Sequence, residues 1–262
     1  MRSIHFLFVC IGFFLSVAVS TRAQSAMVIV DTILITGNEK TNAHIIYREL
    51  YFKSGDTVSL NRLQGLIDSS AMNLLNTPLF LEVQIDYVPL NPESISILVT
   101  VKERWYIFPV FYIALADRNF NVWWFEQEHK LNRLEYGVGL VYYNTTGNND
   151  VLRLNTVFGY SNKYEVSYNL PYFSPHTNLG GGVGFLFQSN RQIYYTTQNN
   201  NQIFFDGEDP VRKKIRAAMR LHMRNEIHYT SAIEMQYHDI QIADTIAALN
   251  PDYLGDSRTR LQ

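Results

Sequence analysis

The sequence predicts a small two-layer α+β domain followed by the strands of an antiparallel transmembrane β-barrel. Three observations predict it. Residues 28–103 run strand, helix, helix, strand, strand, with a turn or capping residue at every joint. From Trp105 onward, apolar and polar side chains alternate with a period of two, and no stretch has a convincing helical period. The chain carries 17 Tyr and 16 Phe, and no apolar run of membrane-helix length follows its N-terminal segment.

Residues 1–23 read as a signal peptide. Arg2 gives a positive start, residues 4–19 are apolar but too short for a confident span, and Thr21-Arg22-Ala23 offers small residues for cleavage after Ala23. The only cysteine, Cys10, lies in this segment and leaves with it, which excludes disulfides, thiolate chemistry and cysteine metal sites from the exported chain. Loss of Arg2 and Arg22 from the 22 basic residues leaves 20 against 24 acidic ones, so nothing points to nucleic acid as a partner.

The α+β domain begins with the strand at residues 28–35, reversed at Thr36-Gly37-Asn38, where Gly and Asn accept positive φ. Thr41 is the expected N-cap of a helix through Ile45, Ile46 and Leu50, stopped by Gly55-Asp56. Ser59 caps the second helix, whose Leu60, Leu63, Ile67, Ala71 and Leu74 fall on one face. After Asn76-Thr77-Pro78 come strands at 79–88 and 94–103, joined by Pro89-Leu90-Asn91-Pro92.

Beyond Trp105 the alternation defines a wall. Residues 106–116 are apolar on both faces, which suits a first strand that also packs on its inner side. In 134–143, Leu134, Tyr136, Val138 and Leu140 oppose Glu135, Gly137 and Gly139; segments 151–160 and 163–172 alternate likewise. In 211–224, Ile215, Ala217, Met219, Leu221 and Met223 oppose Arg212, Lys214, Arg216, Arg220, His222 and Arg224. A soluble core cannot accept such a strand without burying charge, whereas a barrel wall meets lipid outside and water inside. Residues 227–242 continue the pattern. Short turns at 144–150 and 174–177 are assigned to the periplasm, and longer polar loops at 193–209 and 243–257 to the cell surface, with Ser161-Asn162 a short exception. The count is about seven strands, with an eighth starting near Thr259.

Ile33-Leu34-Ile35-Thr36-Gly37-Asn38, Ile45 to Leu50 with Gly55-Asp56, Pro78 to Val83, and Val99 to Glu103 occur in the order and at the distances of a POTRA domain. This stretch resembles the periplasmic modules of the outer-membrane insertase and translocase superfamily, the bacterial surface antigen family. Residues 117–124 and 168–173 are similar to that superfamily's early barrel strands and turns. After the signal peptide at 1–23, the resemblance implies a POTRA domain at 24–104 and the N-terminal part of an outer-membrane barrel at 105–262. Such barrels are expected to have about sixteen strands, so the chain is read as stopping inside its barrel. The family's inward loop carrying an Arg before the closing strands is absent from these residues.

The function the resemblance implies is assembly of outer-membrane proteins, with no enzyme activity, catalytic residue, metal or cofactor. Clients would add to the edge strand at Leu79, Phe80, Leu81, Glu82, Val83, Gln84 and Ile85 through main-chain hydrogen bonds. A barrel seam would be formed by the strand bearing Tyr106, Phe108, Val110, Tyr112 and Ala114. Arg212, Lys214, Arg216, Arg220 and Arg224 form a basic lumen face that lines a pore, receives an acidic segment, or pairs with acidic residues elsewhere. Partners would be outer-membrane lipid, unfolded outer-membrane or secreted proteins, and accessory periplasmic lipoproteins. Two other readings stand beside assembly: a two-partner-type secretion pore, and a structural or receptor barrel. One POTRA and no plug helix favour assembly over secretion.

Other constellations carry less. Gly180-Gly181-Gly182-Val183-Gly184 lacks the Lys-Ser/Thr and helix of a phosphate loop and reads as strand glycines. Glu126, Glu128 and His129 read as a solvated loop, and His222, His228 and His238 as scattered lumen histidines. There is no Gly-x-Ser-x-Gly elbow. Asn144-Thr145-Thr146 is a formal glycosylation sequon that reads as a hairpin turn.

Overall fold

The computed structural model describes residues 26–116, 119–126, 128–199, 201–226 and 229–254. The signal peptide, Asp117-Arg118, His228 and the strand expected near Thr259 lie outside the described residues.

The first unit is a four-stranded sheet backed by two helices. Strand β1 (Met27–Thr36) leads to helix α1 (Ala43–Tyr47), the short strand β2 (Thr57–Ser59), helix α2 (Leu60–Leu75), and strands β3 (Phe80–Asn91) and β4 (Ser94–Glu103). The sheet order is β2-β1-β4-β3, with β1 parallel to β4 and the other pairs antiparallel. The inward residues of β1 are Val28 and Val30, then Ile33. A register shift between Val30 and Thr32 moves the alternation by one position and returns the following isoleucines to the core. Ile95, Ile97, Val99 and Val101 fill the inner face of β4, and Leu63, Ile67 and Leu74 of α2 pack over them.

Several local expectations change. Thr41 does not cap α1; the N-cap position is Asn42, without a side-chain cap bond. Glu103 draws Thr41 away, its carboxylate accepting the N–H groups of Lys40 at 3.1 Å and Thr41 at 2.6 Å. Helix α1 is correspondingly short, and Leu50 lies beyond it. Strand β3 runs through Pro89 and Leu90 to Asn91, so the turn is tighter than the sequence suggested. The polar residues Ser70 and Asn73 sit on the buried side of α2, where they hold the segment after α1: Ser70 Oγ accepts the Tyr51 N–H and Asn73 Nδ2 donates to the Glu49 carbonyl.

The second unit is a seven-stranded antiparallel sheet of β5 (Ile107–Leu115), β6 (Leu134–Tyr143), β7 (Val151–Gly159), β8 (Ser161–Leu170), β9 (Leu179–Asn190), β12 (Arg212–Glu226) and β13 (Tyr229–Ile242), in that spatial order. The predicted strands are present, and Gly180 to Gly184 belong to β9. The expected loop at 193–209 is instead a hairpin, β10 (Gln192–Gln198) and β11 (Asn201–Asp206), and the loop at 243–257 contains helix α3 (Asp244–Leu249). Ile193, Val211 and Ile246 form a small core beneath them, so this end of the wall carries a folded cap. Arg133 is buried beside it, donating to Gln192 Oε1 at 2.5 Å and stacking over Phe204. Residues 122–126 form a single helical turn, not a strand.

Register assigns the faces. Outward residues on neighbouring strands face each other: Phe111 with Val138, Val183 with Met219, Met219 with Met235. Phe111 and Ile113 are both 80% exposed, and Ile233 74%. No folded soluble protein gains by exposing such a band, but a lipid-facing wall does. Tyr136, Phe158, Tyr164 and Phe187 meet ring to ring across β6 to β9, their centroids 5.9–6.4 Å apart. Among the described residues no helix is long and apolar enough to cross a membrane.

Candidate functional site

Three features of the fold are candidates for function: the free edge of the first sheet, the inner face of the wall, and the junction between them.

Strand β3 is the outermost strand of its sheet. Its pairing to β4 is regular from Glu82 to Pro89 and interrupted at both ends by register shifts. The open edge is therefore the stretch from Glu82 to Val88. Leu79 precedes the strand and is fully buried, and Phe80 and Ile85 point into the core, so they anchor the edge rather than present side chains to a partner. Leu81, Glu82 and Gln84 are exposed, with Glu82 paired to Lys102 at 2.7 Å.

The first wall strand, β5, also ends its sheet. Phe108, Val110, Tyr112 and Ala114 all lie on its inner face, opposite Val141, Gly139, Gly137 and Glu135. The outward residues of that edge are Phe111 and Ile113. Tyr106, expected in this strand, is not in it: the strand starts at Ile107. Tyr106 is buried in the core of the α+β domain, its hydroxyl 3.2 Å from Thr41 Oγ1 and donating to the Leu79 carbonyl. Burial pushes its phenol above the ordinary range.

Arg212, Lys214, Arg216, Arg220 and Arg224 share one face of β12, the face opposite Ile215, Met219 and Met223. Their partners differ. Arg216 pairs with Glu165 at 2.7 Å, and Lys163 shares that carboxylate at 3.2 Å. Arg220 lies opposite Glu234 in register. The Nε atoms of Arg212 and Arg216 are buried without a hydrogen-bond partner among the described residues. Arg153, Arg216 and Arg220 face one cavity of about 650 Å³ with Glu165 and Glu234. Opposite them, Gly180, Gly182 and Gly184 of β9 leave the inner surface without side chains. Arg224 lines the same cavity at its lower end and from there reaches the α+β domain.

That contact belongs to the junction, which sequence reasoning missed. Both guanidinium nitrogens of Arg224 reach Glu49, at 2.5 and 2.8 Å, and one also donates to Tyr172 Oη at 2.6 Å. Arg48 stacks on the Tyr172 ring at 3.9 Å and donates to the carbonyls of Ser174, Pro175 and Thr177. On the other side Lys40 donates to Tyr142 Oη at 2.6 Å, and Asn144 Nδ2 donates to Thr41 Oγ1 at 2.9 Å. The Asn42 N–H bonds the Gly147 carbonyl at 2.9 Å. Turns 144–150 and 174–177 thus both lie against the α+β domain. Residues 40–49 and the wall residues they meet are 100 or more positions apart, and no local pattern in the sequence joins them.

Residues 28–104 match the family model described as POTRA, surface antigen variable number repeat. A comparison with curated proteins finds no match. Among solved structures the chain is similar to BamA from Haemophilus ducreyi lacking POTRA domains 1–3, with 18% identity and a TM-score of 0.54 over 81% of this chain and 36% of that one. It is also similar to CdiB from Acinetobacter baumannii, with 15% identity, a TM-score of 0.45 and coverage of 84% and 40%. CdiB from Escherichia coli matches with 12% identity, a TM-score of 0.44 and coverage of 81% and 37%. The chain thus spans less than half the length of the structures it matches. Residues 28–104 are thus a POTRA domain by the family model, and the chain shares the fold of a POTRA domain followed by antiparallel wall strands, seven of them among the described residues.

Proposed function

We propose that this protein works in the bacterial outer membrane as an assembly factor, with its POTRA domain in the periplasm. The POTRA receives unfolded membrane-protein segments and the adjoining wall passes them into the bilayer. The observation that carries the reading is the free β3 edge from Glu82 to Val88. Its unpaired backbone N–H and C=O groups accept an extended segment with little regard for sequence, as a receiver of many clients requires. Strand β5 is joined to the same sheet by residues 104–106 alone, so a client strand held there lies close to the first wall strand. Neither step makes or breaks a covalent bond, and no enzymatic role is proposed.

A photo-cross-linking side chain at Gln84 in the full chain tests this in cells. The expected outcome is adducts with unfolded barrel precursors, absent when the probe sits at Asp68 on α2. Equal labelling at both positions would remove the edge-docking idea. A secretion pore is the second reading, and the basic inner wall favours it, because a water-filled passage tolerates unpaired cations that a closed core does not. Under that reading, Gln84 labels one dedicated exported partner rather than many precursors.

A further inference from the structure

A separate cavity of about 510 Å³ lies between the POTRA domain and the foot of the wall. Its lining brings basic side chains together from four segments: His44 and Arg48 from α1 and its C-cap, Lys53 from the segment that follows, His176 from the turn after β8, and Arg224 from β12. Leu50, Phe52 and Tyr172 give it an apolar side. The carboxylate at hand, Glu49, has both oxygens engaged by Arg224. Arg48 spends its terminal nitrogens on neutral acceptors, the carbonyls of the 174–177 turn and the Asn178 side chain, and its Nε is buried without a hydrogen-bond partner among the described residues. Lys53 makes no ion pair among the described residues.

We infer that this cavity is a binding site for a phosphate group. The charges of Arg48 and Lys53 converge on it without a carboxylate of their own, and each of the two imidazoles beside them can donate a ring N–H. Such a convergence repels itself when empty: Arg48 and His176 both add to the burial that holds His44 below its ordinary value. A bound phosphate reverses that sign, supplying negative charge and several acceptor oxygens where only donors stand. The site is at the periplasmic end of the wall, where both free phosphate and the headgroups of membrane lipids have access. The inference does not depend on what the barrel transports.

The test uses the full chain in phosphate-free maltoside micelles and follows the imidazole NMR signals of His44 and His176. Inorganic phosphate is titrated in one arm, short-chain phosphatidylglycerol in a second and the matching diacylglycerol in a third. The expected result is that a phosphate-bearing ligand shifts both signals and raises the apparent pKa of His44, while diacylglycerol does neither. A response to the lipid alone assigns the source to a membrane headgroup; a response to inorganic phosphate assigns it to the free ion. Lys53→Gln, an exposed position outside the docking contacts, is expected to weaken the response at least threefold. Arg48→Gln is expected to weaken it further but also loosens the 174–177 turn. No response in either phosphate arm, or an undiminished response in Lys53→Gln, overturns the inference.

Discussion

At the scale of single residues, the contact between Glu49 and Arg224 is the one whose loss is most specific. Glu49 is nearly buried and the Arg224 side chain keeps 22% of its surface in water. Removing one partner of a fully buried pair costs about 3–5 kcal/mol, and partial exposure here reduces that to about 2 kcal/mol. Arg224→Gln is therefore expected to speed hydrogen exchange in α1 while leaving β3 and β4 protected; the double change Glu49→Gln with Arg224→Gln should cost less than the two single changes together. His44 adds a dependence on pH. Burial first, then the charges of Arg48 and His176, hold it below its ordinary value of 6.5, so the unfolded chain binds the proton more readily. Its contribution is intact above about pH 6.5 and declines as pH falls below that value. A POTRA melting temperature that drops between pH 7 and pH 5, and drops less in His44→Gln, is the expected result. Arg224 was legible as a member of the basic face but its pairing with Glu49 was not, because a Glu and an Arg 175 positions apart have no local pattern that pairs them.

At the scale of elements, the wall strands were legible and their ends were not. Period-two alternation fixes which residues share a face, so β6 and β12 could be assigned almost residue for residue. The cap of β10, β11 and α3 was missed because its apolar residues, Ile193, Val211 and Ile246, are too few and too scattered to set a period. Glycine is the other element-level device. A Cβ at Gly137 would lie 2.1 Å from the Thr156 carbonyl oxygen across the β6–β7 pair, a distance only a backbone shift can relieve. Gly137→Ala is expected to destabilise the wall by about 1–3 kcal/mol, read as a lower heat-modifiability temperature on a cold gel. Gly184→Ala, whose Cβ would meet nothing nearer than 3.8 Å, is the control and should be close to neutral.

At the scale of the whole molecule, the inner wall sets an electrical preference. Arg212, Lys214, Arg216 and Arg220 outnumber Glu165 and Glu234 on the surfaces that face one another. In planar bilayers a pore containing this wall is expected to favour anions, and Arg216→Gln with Arg220→Gln should move the reversal potential toward zero under a salt gradient. An unchanged potential would mean these cations are matched by carboxylates elsewhere. The order of domains could be read from sequence, since each has its own periodicity. Their docking could not, since it rests on Lys40, Thr41, Arg48 and Glu49, polar residues that look like an ordinary solvated face until the two turns close over them.

Between the last strand of the POTRA sheet and the first strand of the wall there are three residues, 104–106, and Tyr106 is sunk into the POTRA interior. Fully stretched, three residues reach about 10 Å. There is no slack in such a joint. A force applied to the β3 edge would therefore be carried as torque to the margin of the wall rather than absorbed between them.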